Sequence, residues 1–118
     1  MTPLEKAERI AHILDDKKGK DVKILHVTDQ TVITDYFVIC GGGSNTQVKA
    51  LSDEVEFKLR EEDGIIPARV EGYAGAAWIL LDFSDVIVHI FDPASREFYK
   101  LEKLWASAEE VPFNAKED

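Results

Sequence analysis

The apolar positions at the start of the chain recur at helical spacing. Leu4, Ala7, Ile10, Ala11 and Leu14 fall on one face, with charged residues between them. Thr2 can cap this helix, Pro3 suits its first position, and Glu5 completes a capping box three residues after Thr2. Lys17 and Lys18 suit the C-terminal dipole, and Gly19 is expected to end the helix. The apolar period then shortens to two, as a strand requires: "VKILHV" (22–27) and "DYFVIC" (35–40) read as strands joined by a turn. Val48, Leu51, Val55 and Leu59 restore the helical period over 45–62, with Ser44 as cap and Gly64 as stop. "IPARVEG" (66–72) is a short strand whose Pro67 places it at an edge or at a strand beginning. "AWILLDF" (77–83) and "VIVHIF" (86–91) form a hairpin about Ser84-Asp85. Asp92 and Pro93 then open a helical turn that leads towards Tyr99, Leu101, Leu104 and Trp105. The order α-β-β-α-β-β-β predicts an α/β (α+β) fold, a single mixed β-sheet of about five strands with helices packed on it. One domain is expected over residues 1–105, followed by a loose acidic tail at 106–118.

The hairpin has one apolar face more than a two-layer fold needs. With Phe83 opposite Val86, alternation gathers Ile79, Leu81, Phe83, Val86, Val88 and Ile90 on the face that the helices must cover. The other face carries Trp78, Leu80, Asp82, Ile87, His89 and Phe91, pairing Trp78 with Phe91 and Leu80 with His89. A solvent-facing sheet surface is ordinarily polar. Two readings follow. This face is either a second core, beneath the N-terminal helix or the C-terminal segment, or the middle of a protein interface, where aromatic anchors and a few polar groups gather.

Charge narrows the range of partners. The 118 residues carry 14 Lys and Arg against 23 Asp and Glu, a net charge of −9. So acidic a chain has no basic stripe for nucleic acid and is suited to meeting a basic protein surface. Its single cysteine, Cys40, rules out an internal disulfide framework and fits a reducing compartment. No stretch of about 18 apolar residues marks a membrane span, and no signal-peptide pattern opens the chain, so a cytoplasmic protein is expected.

The segment "CGGGSNTQVKAL" (40–51) poses the chemical question, because a glycine-rich strand-to-helix turn is a common phosphate cradle. A Walker loop needs Lys and Ser/Thr after the last glycine, and here Ser44, Asn45, Thr46 and Gln47 follow. The dinucleotide fingerprint lacks its third glycine. A nucleotidyltransferase site begins in the same way but needs paired carboxylates on the next strand to hold magnesium, and "IPARVEG" offers only Glu71. His12, His26 and His89 have no ligand spacing, and Cys40 with His89 is a weak nucleophile–base pair because Cys40 ends an apolar strand. No catalytic constellation, metal site or cofactor site is expected, and the glycine run reads as a tight turn into a capped helix.

Taken together, "TDYFVIC", the Gly-Ser turn, "QVKAL" and "EGYAGAAWILLDFSDVIVHIFDPASREFYKLEKLW" resemble the Iojap family of ribosomal silencing factors, from Leu4 to Trp105. The chain departs from the family pattern at the glycine run, near Thr46, at Tyr73 (often Trp) and at Phe83-Ser84 (often Tyr-Gly). The resemblance implies a nucleotidyltransferase-like fold without the catalytic carboxylates. It also implies a factor that docks on ribosomal protein fourteen of the large subunit and blocks an intersubunit bridge. The small subunit then cannot join, and translation is repressed in starvation or stationary phase. On this reading the partner contacts are Trp78, Leu80, Asp82, His89 and Phe91, extended by Asp85, Arg96, Tyr99 and Leu101. Little direct nucleic-acid contact, no membrane, no enzymatic activity and a homodimer when free complete the expectation. The Met1 start and the lack of a transit-like leader favour a bacterial over an organellar origin. The alternatives are a metal-dependent nucleotidyltransferase using Glu71 and Asp82, or a general adaptor for another basic protein.

Overall fold

A computed structural model describes residues 1–27, 34–99 and 108–113, with residues 97–99 described by their backbone only. Helix α1 spans Pro3–Asp16, and its capping box is complete: Thr2 Oγ1 accepts from the Glu5 N–H, and Glu5 Oε1 accepts from the Thr2 N–H. Its end differs from expectation. The left-handed residue is Lys18, at φ 70°, and not Gly19. Gly19 is required by packing instead, since a Cβ there would stand 2.4 Å from Cys40 Sγ and 2.9 Å from the Leu14 carbonyl oxygen. Strand β1 (Lys20–His26) pairs antiparallel with β2 (Tyr36–Gly41), and α2 (Asn45–Asp63) follows. Ser44 caps α2 by accepting from the Gln47 N–H, and Gly64 ends it in the left-handed region.

The short strand β3 (Arg69–Glu71) lies at the sheet edge, as Pro67 foretold, and pairs with β4 (Trp78–Asp82). The hairpin of β4 with β5 (Val86–Phe91) has the expected register: Trp78 faces Phe91, Leu80 faces His89, and the Phe83 N–H donates to the Val86 carbonyl. β5 pairs parallel with β2, so the sheet is mixed. Helix α3 (Pro93–Tyr99) comes next, and Glu109–Val111 forms β6 on the far side of β1. The strand order is β3-β4-β5-β2-β1-β6. The sheet therefore has six strands where about five were expected, the sixth coming from the segment read as a loose tail. The open edge of β1 supplies a backbone ladder for it, and Val111 and Phe113 pack on the core.

Both long helices cover one face. Ile10 and Leu14 of α1 and Leu51 and Leu59 of α2, all fully buried, close over Ile79, Leu81, Val86, Val88 and Ile90. Burying each such side chain contributes roughly 1.5–3 kcal/mol, so this layer holds the sheet flat against the helices. The opposite face carries a second cluster, Leu25, Val27, Phe37, Ile39, Ile87 and Phe91, with Ala108 packed against it. The second-core reading is thus realised at the centre of that face. It does not lie beneath α1, which packs on the first face.

Candidate functional site

Cross-strand register shows which residues share the second face, buried in the middle and more open towards β4. Rows of facing residues run across the sheet: Leu80, His89 and Ile39 form one, Asp82, Ile87, Phe37 and Leu25 another, and Trp78, Phe91 and Gly41 a third. Towards β2 the row members disappear from water: Ile39 and Phe91 are fully buried, and His89 is 5% exposed. Towards β4 the burial stops, and Trp78, Leu80 and Asp82 are half-buried. The strand beyond β4 is only three residues long and cannot cover them. Between Glu71, Gly72, Trp78 and Leu80 this leaves a groove of about 280 Å³.

Trp78 is held on two sides. Its ring stacks on Phe91 at 5.0 Å and 27°, and its Nε1–H donates to His89 Nδ1 at 3.0 Å. Burial pushes the His89 pKa down to about 4, so the imidazole is neutral and its Nδ1 is free to accept. Gly72 sets the near wall of the groove: its φ is +80°, and a Cβ there would lie 2.1 Å from the Trp78 carbonyl oxygen. Asp82 is fixed as well. One of its oxygens accepts the Ser84 N–H at 2.8 Å, and the other lies 3.4 Å from Arg69 Nε. Arg69 also reaches Glu71 at 3.5 Å, so the two carboxylates that a metal-dependent nucleotidyltransferase would use hold a guanidinium between them. Sequence reasoning passed over Arg69. The signal was its position directly across the β3–β4 ladder from Asp82.

The remaining expected contact residues part company. Phe91 and His89 lie beneath the site, as buried support for Trp78, not at its surface. Asp85 is turned towards the helix layer, where Lys6 Nζ donates to it at 2.6 Å. A pair only partly shielded from water contributes at most about 1 kcal/mol, yet it commits this carboxylate within the molecule. Arg96 belongs to another place, a cavity of about 190 Å³ with Lys20, Asp21, Gly41, Gly42 and Asp92, where its Nη2 donates to the Asp21 carbonyl. The side chain of Tyr99 and all of Leu101 lie outside the described residues.

The glycine run closes on itself. A Cβ on Gly42 would lie 2.8 Å from Val48 Cγ2, and the Gly43 N–H donates to Gln47 Oε1, so an N–H that a phosphate would use is already engaged. Cys40 and His89 stand on opposite faces of the sheet, and burial raises the thiol to about 12, which leaves it protonated and inert. Tyr73 lies on the α2 side of the sheet, its hydroxyl donating to Asp53 at 3.1 Å with Lys49 Nζ 5.4 Å from the ring centre. Among the described residues no three His, Cys, Asp or Glu gather as metal ligands, and no helix is long and apolar enough to cross a membrane.

This geometry, a fixed aromatic beside a leucine and a carboxylate, suits protein contact more than chemistry, and known proteins can be compared with it. The family model described as "Ribosomal silencing factor during starvation" matches residues 1–118. The chain is 40% identical over 111 residues to the ribosomal silencing factor of Halalkalibacterium halodurans, covering 94% of each protein. It is also 40% identical to that of Bacillus subtilis over 94 residues, covering 80% of this chain and 79% of that one. A crystal structure of a Chromobacterium violaceum protein superimposes with a TM-score of 0.86 at 34% identity, over 99% of this chain and 98% of that one. The family named by "TDYFVIC", the capped turn and the hairpin is therefore the right one: this chain belongs to the ribosomal silencing factors, the Iojap family.

Proposed function

We propose that this protein acts in the cytoplasm by docking the Trp78–Leu80–Asp82 edge of its sheet on ribosomal protein fourteen of the large subunit. There it blocks an intersubunit bridge, keeps the small subunit from joining and so represses translation in starvation. The observation that carries the reading is a half-buried Trp78, fixed from beneath and flanked by Leu80 and Asp82, at the β4 end of the second face, where burial falls off among the described residues. Rigid aromatic anchors of this kind lose little conformational freedom on binding and are frequent hot spots. Asp82, held by the Ser84 N–H and by the longer contact to Arg69, keeps lone pairs for the partner's Arg or Lys, and a charge-assisted bond there fixes the register of docking. The net charge of −9 favours a basic ribosomal surface and adds to the encounter rate.

The mechanism needs no bond-making. Two bodies cannot occupy one bridge surface, so occupancy of the docking site is itself the inhibition. In the free protein a homodimer over the same edge would keep Trp78 from water, and elution as a monomer at micromolar concentration would count against it. The test of the docking reading is co-sedimentation with purified large subunits, for the wild type and for Trp78→Ala. Wild-type co-migration that the substitution weakens supports the site, and equal binding by a folded Trp78→Ala protein removes Trp78 from it.

A further inference from the structure

His89 is a polar side chain in a place where an apolar one would pack without penalty. It is 5% exposed, with the Phe37 ring edge-on at 4.8 Å and Phe91 on its other flank. Because Nδ1 accepts the Trp78 N–H, the imidazole proton sits on Nε2, and Nε2 meets no acceptor among the described residues. A buried donor without a partner is costly to the fold. The same ring offers its other nitrogen as an acceptor to Trp78. Stacking on Phe91 does not by itself distinguish the indole's two orientations, related by a flip about its bond to Cβ. The hydrogen bond to His89 is a contact that does, and it engages the ring's only donor.

We propose that His89 is a positioning residue for partner binding: it selects the Trp78 orientation that lines the groove beside Glu71 and Leu80, so that the partner meets an apolar ring with no donor left to satisfy. The proposal rests on the docking reading given above.

The experiment uses the full chain in a Trp105→Phe background, so that the remaining indole N–H resonance belongs to Trp78. His89→Asn keeps an acceptor near the Nδ1 position. His89→Leu removes it at similar volume, and His89→Phe is a second acceptor-free variant should the leucine protein not fold. Indole N–H exchange with solvent is read by NMR, and binding by co-sedimentation with large subunits. The expected result is slow exchange and undiminished binding for the wild type and His89→Asn. The acceptor-free variant, folded as well as the wild type, exchanges faster and binds about fivefold more weakly, the worth of one hydrogen bond's pre-organisation. Slow exchange without the acceptor, or full affinity after exchange becomes fast, overturns the proposal. If the wild type itself fails to bind large subunits, the docking reading falls, while the exchange data still decide whether His89 fixes Trp78.

Discussion

At the scale of single residues, Trp78, His89 and Gly72 shape the candidate site. Truncating Trp78 to Ala removes a fixed aromatic anchor and is expected to weaken large-subunit binding by about 2 kcal/mol or more, roughly thirtyfold, measured by quantitative sedimentation. Gly72→Ala forces a side chain into a φ of +80° and against the Trp78 carbonyl, so the start of β4 must shift. A loss of at least about 2 kcal/mol in urea unfolding is expected, and an unchanged midpoint would contradict the close approach. His89 makes stability depend on pH. Its folded pKa of about 4 lies below the ordinary 6.5, so the unfolded chain binds the proton more readily. The stability it contributes is complete above about pH 6.5, falls as pH drops through the window from 6.5 to 4, and is gone below that. The loss amounts to about 3 kcal/mol, from 1.36 kcal/mol per unit. His89→Leu should flatten that slope in urea melts taken between pH 4 and pH 7. The pairing of Trp78 with Phe91 was legible in the sequence, because a two-residue loop and strict alternation leave only one register. The commitment of Asp85 to Lys6 was not, since 79 residues separate the two and no local pattern brings them together.

At the scale of elements, the helices and the hairpin announced themselves by period, cap and turn, and the sixth strand did not. "EEV" has neither alternation nor β-rich composition, and it is a strand because β1 offers it an unpaired edge. Its neighbours make it a clasp across both layers: Ala108 packs on the second cluster, and Val111 and Phe113 pack on the first, with Phe113 edge-on to His12 at 4.8 Å. Truncation after Ser107 should therefore destabilise the fold by on the order of 2 kcal/mol, from lost apolar burial and ladder bonds, or roughly 10 °C in melting temperature. A calorimetric midpoint equal to that of the full chain would show that the clasp contributes nothing. The same edge logic works in reverse at the other side of the sheet, where β3 is too short to hide β4 and the candidate site stays open. Fold class and the chain order of the first five strands thus followed from the pattern of the chain, while the order of strands in the sheet, the parallel β2–β5 pair and the extent of the open edge depended on pairing that no single segment encodes.

At the scale of the whole molecule, shape and charge act together. Two helices cover one face of the sheet, the centre of the other face is buried as a second apolar cluster with Ala108 packed against it, and an acidic molecule presents a half-buried apolar edge, Trp78 and Leu80, beside Asp82 and Glu71. On the proposed docking, a net charge of −9 meets a basic ribosomal surface, so association should slow as salt rises from about 50 to 200 mM, while dissociation, set by the Trp78 anchor of that proposal, changes far less. Stopped-flow binding to large subunits separates the two rates. The central claim is that occupancy alone prevents joining. It is tested most directly by sucrose-gradient sedimentation of purified large and small subunits, with and without the protein. Co-migration with the large subunit and loss of the joined ribosome peak, relieved by Trp78→Ala, is the result predicted. A protein that stays at the top of the gradient while the subunits join normally would contradict the account.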